Sequence, residues 1–196
     1  MKRLDKFTTG IVIVTLAMYI FELYINGFKA LEGLNSTQTI NVGGMSNQTP
    51  LYSLITAMFV HGSYTHLLTN LILFITVGTY IHKYFGNKVY ILTFFLSGIL
   101  GNISTKFMSD NVSGGLSGCI YGLVALAVFS SFNKSSELYE SRWLCGGAAF
   151  LLLLTTYMFS NVNIYSHSIG FVTGCFVYCV YSAYTKEKEV HMNERT

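Results

Sequence analysis

Three short stretches of this sequence carry side chains able to act on one another. Gly114-Gly115-Leu116-Ser117-Gly118-Cys119-Ile120-Tyr121-Gly122 puts a serine at the turning point of a glycine-rich approach to an apolar helix. Flanking glycines let the backbone bend sharply. The first free N–H groups of the helix that follows carry partial positive charge, which suits a nucleophile whose attack creates an oxyanion. Ser166-His167-Ser168 offers a base, and His66 and Asn70, four positions apart, share one helix face. Each has a plainer reading taken singly. Gly/Ser turns open many membrane helices, His66 and Asn70 could be interhelical hydrogen bonds, and His61, five positions before His66, fits a structural role at the approach to its span.

The elements that must position these groups are set by composition. The 196 residues are 52% hydrophobic, 15% aromatic and only 11% charged, with one proline, Pro50. Apolar runs recur, each close to the ~20 residues that a helix needs to cross the hydrocarbon core. They predict an all-α, polytopic membrane protein of six transmembrane helices, at 7–28, 55–81, 88–107, 115–132, 143–160 and 164–185, in a single domain over 1–196. Leu51 to Val60 reads as the approach to the second span, Lys29 to Pro50 as a polar loop outside the membrane, and Ser160 to Tyr165 as a short turn.

Lysine and arginine set the orientation. With the N-terminus inside, Lys2, Arg3, Lys6, Lys83, Lys88, Lys134, Arg142, Lys186, Lys188 and Arg195 fall on inner segments, and only Lys29 and Lys106 fall outside. Both termini are therefore expected in the cytoplasm, of a bacterial cell by expectation, with the first span uncleaved. The net charge of +3 reflects this topology, and no basic cluster suggests nucleic acid.

Depth ties the candidate groups together. Counting from the inner charged boundary, Ser117 is 17 residues from Lys134, His66 is 17 from Lys83, and His167 is 19 from Lys186. At about 1.5 Å per residue these lie within roughly one helical turn of the same height, with Asn70 one turn deeper. His167, Gly170 and Gly174 share a face, and Gly118 and Gly122 form a matching small-residue stripe beside Ser117 and Tyr121. Such stripes are also ordinary packing seams. Convergence on one level favours Ser117 as nucleophile and His167 as base.

With these residues in view, the chain resembles the rhomboid intramembrane serine proteases over Phe59 to Gly78, Gly114 to Gly122 and Ser166 to Gly174. The resemblance implies a rhomboid-like bundle with Ser117 as nucleophile and His167 as general base. It implies that Gly115 shapes the turn, that Tyr121 packs against His167, and that His66, Asn70 and the Ser117 N–H form the oxyanion hole. Gly170 and Gly174 support the close helix approach. The implied reaction is hydrolysis of peptide bonds in or beside transmembrane segments of protein substrates in the lipid bilayer, with no cofactor, metal or nucleotide. Two departures stand out: the first loop lacks the Trp-Arg pair of many members, and His82 stands where an acidic residue is frequent.

Other chemistries find no support. No His-Glu-x-x-His run exists for zinc, and the only aspartates are Asp5 and Asp110, outside the spans. Cys119, Cys145, Cys175 and Cys179 read as small core residues. A catalytically silent relative and a small transporter or scaffold are the alternatives, the latter lacking repeats or rows of ionisable residues. Within the six runs Glu22 is the only interior carboxylate. It reads as reaching headgroups or a water pocket, and the resemblance implies that its span lies away from the face where the serine and histidine helices meet. The expectation is thus a dyad, with His167 oriented by glycine-mediated packing and by Tyr121.

Overall fold

The structure is a computed structural model and describes residues 4–134, 136, 138–158 and 163–193. Residues 159–162, which hold half of the expected turn at 160–165 and the end of the fifth run, lie outside the described residues. So do Lys2, Arg3 and Arg195. Helix α1, Lys6–Asn26, starts where the Asp5 carboxylate accepts hydrogen bonds from the Thr8 N–H at 2.9 Å and the Thr8 hydroxyl at 2.6 Å. It stops at Gly27, whose φ of +68° a side chain would resist.

The stretch 29–50 is not the plain loop expected. It holds α2, Lys29–Glu32, and α3, Ser36–Asn41, the latter started by a capping box in which Asn35 and Gln38 satisfy each other's backbone N–H groups. Composition pointed to a loop because Asn, Ser and Thr favour turns; here those side chains serve as caps. The approach to the second span winds through α4, Ser53–Thr56, and a 3₁₀ turn at Ala57–Phe59.

Helix α5, Tyr64–Met108, is 45 residues long and broken only at Gly86, whose φ of +73° and ψ of 173° are not helical. The second half folds back on the first: the Phe74 ring lies 5.4 Å from that of Phe94 and 6.3 Å from that of Tyr90. Each half, 64–85 and 87–108, is about 33 Å long, enough to cross a hydrocarbon core. The inner connection expected over 82–87 is thus a single residue. Across the same end, His82 Nδ1 stands 3.9 Å from Asp5 Oδ2. Partial burial alone would raise the Asp5 pKa, but the Thr8 hydrogen bonds and His82 outweigh it and hold the carboxyl below its ordinary value. The Asp5 carboxylate thus faces His82 from the start of α1.

The remaining helices are α6, Ser117–Ser131, α7, Arg142–Met158, and α8, Ile164–Asn193. No strand forms among the described residues; one isolated bridge joins Met45 to Ser113 and ties the first loop to the approach to α6. Among the described residues three helices are long and apolar enough to cross a membrane: Lys6–Asn26, Tyr64–Met108 and Ile164–Glu187. Their outer faces expose large apolar side chains such as Ile20, Tyr24, Leu92, Val172 and Phe176. In water that would be a liability; in lipid it is the required surface.

The α6–α8 seam is made of glycine on both sides. A Cβ at Gly170 would strike the Gly118 carbonyl, and one at Gly174 would strike the Gly122 carbonyl and come within 2.9 Å of the Ala125 Cβ. On its other side, α6 meets α5 just as closely, where a Cβ at Gly122 would collide with Ser97. Backbone cannot swing aside as a flexible side chain can. Gly170→Val should therefore cost at least the upper end of the about 1–3 kcal/mol typical of overpacking. At about 2–4 °C per kcal/mol for a chain this size, the melting temperature should fall by at least about 6 °C. Gly147→Ala, on α7 with nothing within 4 Å of the added methyl, should leave it within about 2 °C. Thermal melts of the detergent-solubilised protein check this, and equal shifts in the two variants would refute the seam as the tight contact.

Candidate active site

The turn before α6 is built by backbone. Gly115 has φ +124°, a conformation reserved in practice for glycine, and a Cβ there would sit 2.9 Å from His66 Cε1. The Gly115 N–H donates to the Ala57 carbonyl at 2.8 Å. The Leu116 N–H donates to His61 Nε2 at 3.4 Å. Neither bond uses Ser117, and no side chain caps the first turn of α6, so the helix presents uncapped, partly positive N–H groups beside the Ser117 hydroxyl. The helix itself spans about 22 Å, short of the roughly 30 Å of a hydrocarbon core.

Ser117 Oγ and His167 Nε2 are 2.7 Å apart, a hydrogen bond between residues 50 positions apart in the chain. His167 is buried and Ser117 half-buried. The Tyr121 ring stacks on the imidazole with centroids 4.2 Å apart and planes 15° from parallel. The glycine seam is what allows this: with Gly118 and Gly170 backbones in contact, side chains one turn above can meet. Gly174 lies one turn further down the same seam.

The other ring nitrogen of His167 has a partner that the sequence did not announce. Thr156 Oγ1 lies 3.0 Å from His167 Nδ1, and Thr156 is buried on α7. For His167 Nε2 to accept from the Ser117 hydroxyl, the neutral imidazole must carry its proton on Nδ1, which then donates to Thr156. The network closes around it. Tyr121 donates its hydroxyl to the Leu152 carbonyl at 2.6 Å and contacts Thr156 Oγ1 at 2.5 Å, and Thr156 reaches the Leu152 carbonyl at 3.1 Å. Glycine packing and Tyr121 are therefore not the whole of what orients His167; a hydroxyl stands where a soluble triad has its acid. The available signal was a lone pair of threonines ending the Leu151–Leu154 run. It is uninformative, since a helical threonine can satisfy itself on the carbonyl four residues back.

His66 reaches the site from α5: its half-buried ring lies over Gly115 and 5.2 Å from the His61 ring. Asn70 is buried one turn along, and its amide N–H donates to the His66 carbonyl at 2.9 Å. Its Oδ1 has no partner among the described residues, and Asn70 makes no hydrogen bond with Ser117 or His167 in this state. Asp110 is exposed and accepts a hydrogen bond from Asn47 Nδ2 at 3.4 Å. Glu22 does not reach headgroups or open water: it is fully buried, and its Oε1 accepts the His61 N–H at 2.8 Å. Among the described residues no cluster of His, Cys, Asp and Glu could hold a metal ion.

Comparison with known proteins adds the following. A family model described as the rhomboid domain matches residues 48–184. Rhomboid-like protease 3 of Toxoplasma gondii is 27% identical over 139 residues, covering 67% of this chain and 52% of the relative. Rhomboid protease GluP of Bacillus subtilis is 24% identical over 165 residues, 80% of this chain and 31% of its own length. Inactive RHOMBOID-like protein 8 of Arabidopsis thaliana is 28% identical, covering 56% of this chain and 33% of that protein. The chain thus spans about half the length, or less, of these relatives.

The hydroxyl behind His167 can be tested by the reactivity of Ser117. Thr156→Val keeps the shape and removes the hydrogen bond, so labelling of Ser117 by a fluorophosphonate should slow about 10- to 100-fold, by analogy with a metal-ligating histidine that loses the partner orienting its ring. Thr156→Ser keeps the hydroxyl and should stay close to the parent rate. Equal slowing in both variants would assign Thr156 to packing.

Proposed function

The chain belongs to the rhomboid family, is an integral membrane protein, and has named proteases among its relatives; from this we propose that it is itself an intramembrane serine endopeptidase working through a Ser117–His167 dyad. The observation that carries the reading is the 2.7 Å contact between Ser117 Oγ and His167 Nε2, with the histidine stacked on Tyr121. The substrates are membrane proteins, cut in or next to a transmembrane segment. The six-span arrangement with both termini cytoplasmic accompanies this reading, α5 supplying two of the crossings about Gly86.

The chemistry follows from the geometry. Ser117 Oγ attacks the scissile carbonyl carbon as its proton passes to His167 Nε2. The resulting imidazolium is held by Thr156 at Nδ1 and by the face of Tyr121. Negative charge on the carbonyl oxygen is met by the Ser117 N–H at the start of α6, with His66 and Asn70 as further donors. For Asn70 this requires its second amide hydrogen, since the first is on the His66 carbonyl. Collapse breaks the C–N bond, and His167 returns its proton to the leaving amine. Water, deprotonated by the same nitrogen, then cleaves the acyl-enzyme and restores the serine.

Ser117→Ala and His167→Ala should each abolish cleavage of a model transmembrane substrate in a protein that still folds and inserts. The double variant should be little worse than either, because the two act as a unit. Fluorophosphonate labelling at Ser117 that depends on His167 separates this reading from a silent relative or a transporter. Turnover retained in folded Ser117→Ala would end it.

A further inference from the structure

Glu22 is a fully buried carboxyl-bearing residue on α1, a position that is costly in a membrane helix unless it serves something. Its Oε1 accepts the backbone N–H of His61 at 2.8 Å, and its Oε2 has no partner among the described residues. His61 is also fully buried. Its Nδ1 lies 3.0 Å from the Phe59 carbonyl, which can only accept, so Nδ1 carries the ring proton and Nε2 carries the lone pair. The N–H that donates to Nε2 is that of Leu116, the residue before Ser117. One position earlier, the Gly115 N–H donates to Ala57. Both backbone donors of the turn are therefore received by the segment 57–61, whose end is held by Glu22.

We propose that Glu22 and His61 are positioning residues that set the turn from which Ser117 presents its backbone N–H to the developing oxyanion. This rests on the protease reading above. Glu22 touches neither substrate nor reacting atoms. It fixes the His61 backbone, the His61 ring fixes the Leu116 N–H, and that bond orients the peptide unit immediately before the nucleophile. The Gly115 position leaves little freedom of its own, because His66 Cε1 and His61 Nε2 would lie 2.9 Å and 3.8 Å from an added Cβ. Loosening Glu22 should therefore act on transition-state stabilisation rather than on substrate binding. A carbonyl oxygen can replace the carboxylate as acceptor, so the amide should serve nearly as well as the acid.

The full chain in detergent or proteoliposomes tests this through kcat and KM on a transmembrane substrate and through the rate of fluorophosphonate labelling, each expressed per folded enzyme. Glu22→Gln should remain within about threefold of the parent, whereas Glu22→Leu and His61→Phe should each lose about 10- to 100-fold in kcat and in labelling rate, with KM unchanged. The double variant Glu22→Leu/His61→Phe should be no worse than the weaker single one, as expected for links of one chain. Should Glu22→Leu fail to fold, the His61→Phe and Glu22→Gln pair carries the same contrast. The inference is overturned by unchanged kcat in either disruptive variant, by losses that appear in KM, by a Gln variant as poor as Leu, or by additive effects. A parent protein that is neither labelled nor active would instead overturn the protease reading, and the inference with it.

Discussion

Contact between two glycine backbones is the constraint on which the site depends. Gly118 and Gly122 on α6 lie directly against Gly170 and Gly174 on α8. Only that approach lets a side chain as short as serine reach an imidazole on the neighbouring helix at 2.7 Å. In lipid no hydrophobic force draws two apolar helices together, so close van der Waals packing must do it, and small residues make such packing possible. The same α6 turns another face to α5, where Gly98 lies against Cys119 and Met58. Two close seams thus grip one short helix, backbone against backbone on the α8 side and glycine against side chains on the α5 side.

Around that seam the polar groups fall into two separate systems. One lies behind the histidine, where Thr156 and Tyr121 share the Leu152 carbonyl and define which imidazole nitrogen carries the proton. The other lies behind the serine, where the segment 57–61 receives the turn and is itself held by Glu22 on α1. Buried polar groups in an apolar medium are favourable only when they are partnered. Here the partners run outward from the two reacting atoms onto α7, through Thr156, and onto α1, through Glu22. The stretch after α3 is tied to the same region: Met45 pairs with Ser113, and the Lys106 ammonium donates to the Asn47 and Thr49 carbonyls at 3.1 Å and 2.6 Å.

Much of this was legible in the sequence because the membrane reduces a helix to one dimension. Apolar runs announced helices, and residue counts from charged boundaries put Ser117, His66 and His167 at one depth. The Gly-x-x-x-Gly stripes marked the faces that could meet, and Gly115 marked a turn that needs glycine. What counting leaves open is rotation about each helix axis and any contact made by backbone. The surroundings of Glu22 escape such counting, since its partner is a main-chain N–H that no side-chain pattern reports. Thr156 gave no signal, because a helical hydroxyl has a carbonyl of its own helix within reach whether or not it serves a neighbour. The stretch 29–50 looked like loop because cap residues and turn residues are the same residues. The sequence alone determined the class of structure and the faces thin enough to touch. Only the tertiary structure decided which nitrogen, which carbonyl and which N–H each group faces, because those depend on helix rotation and chain reversal, which local composition does not encode.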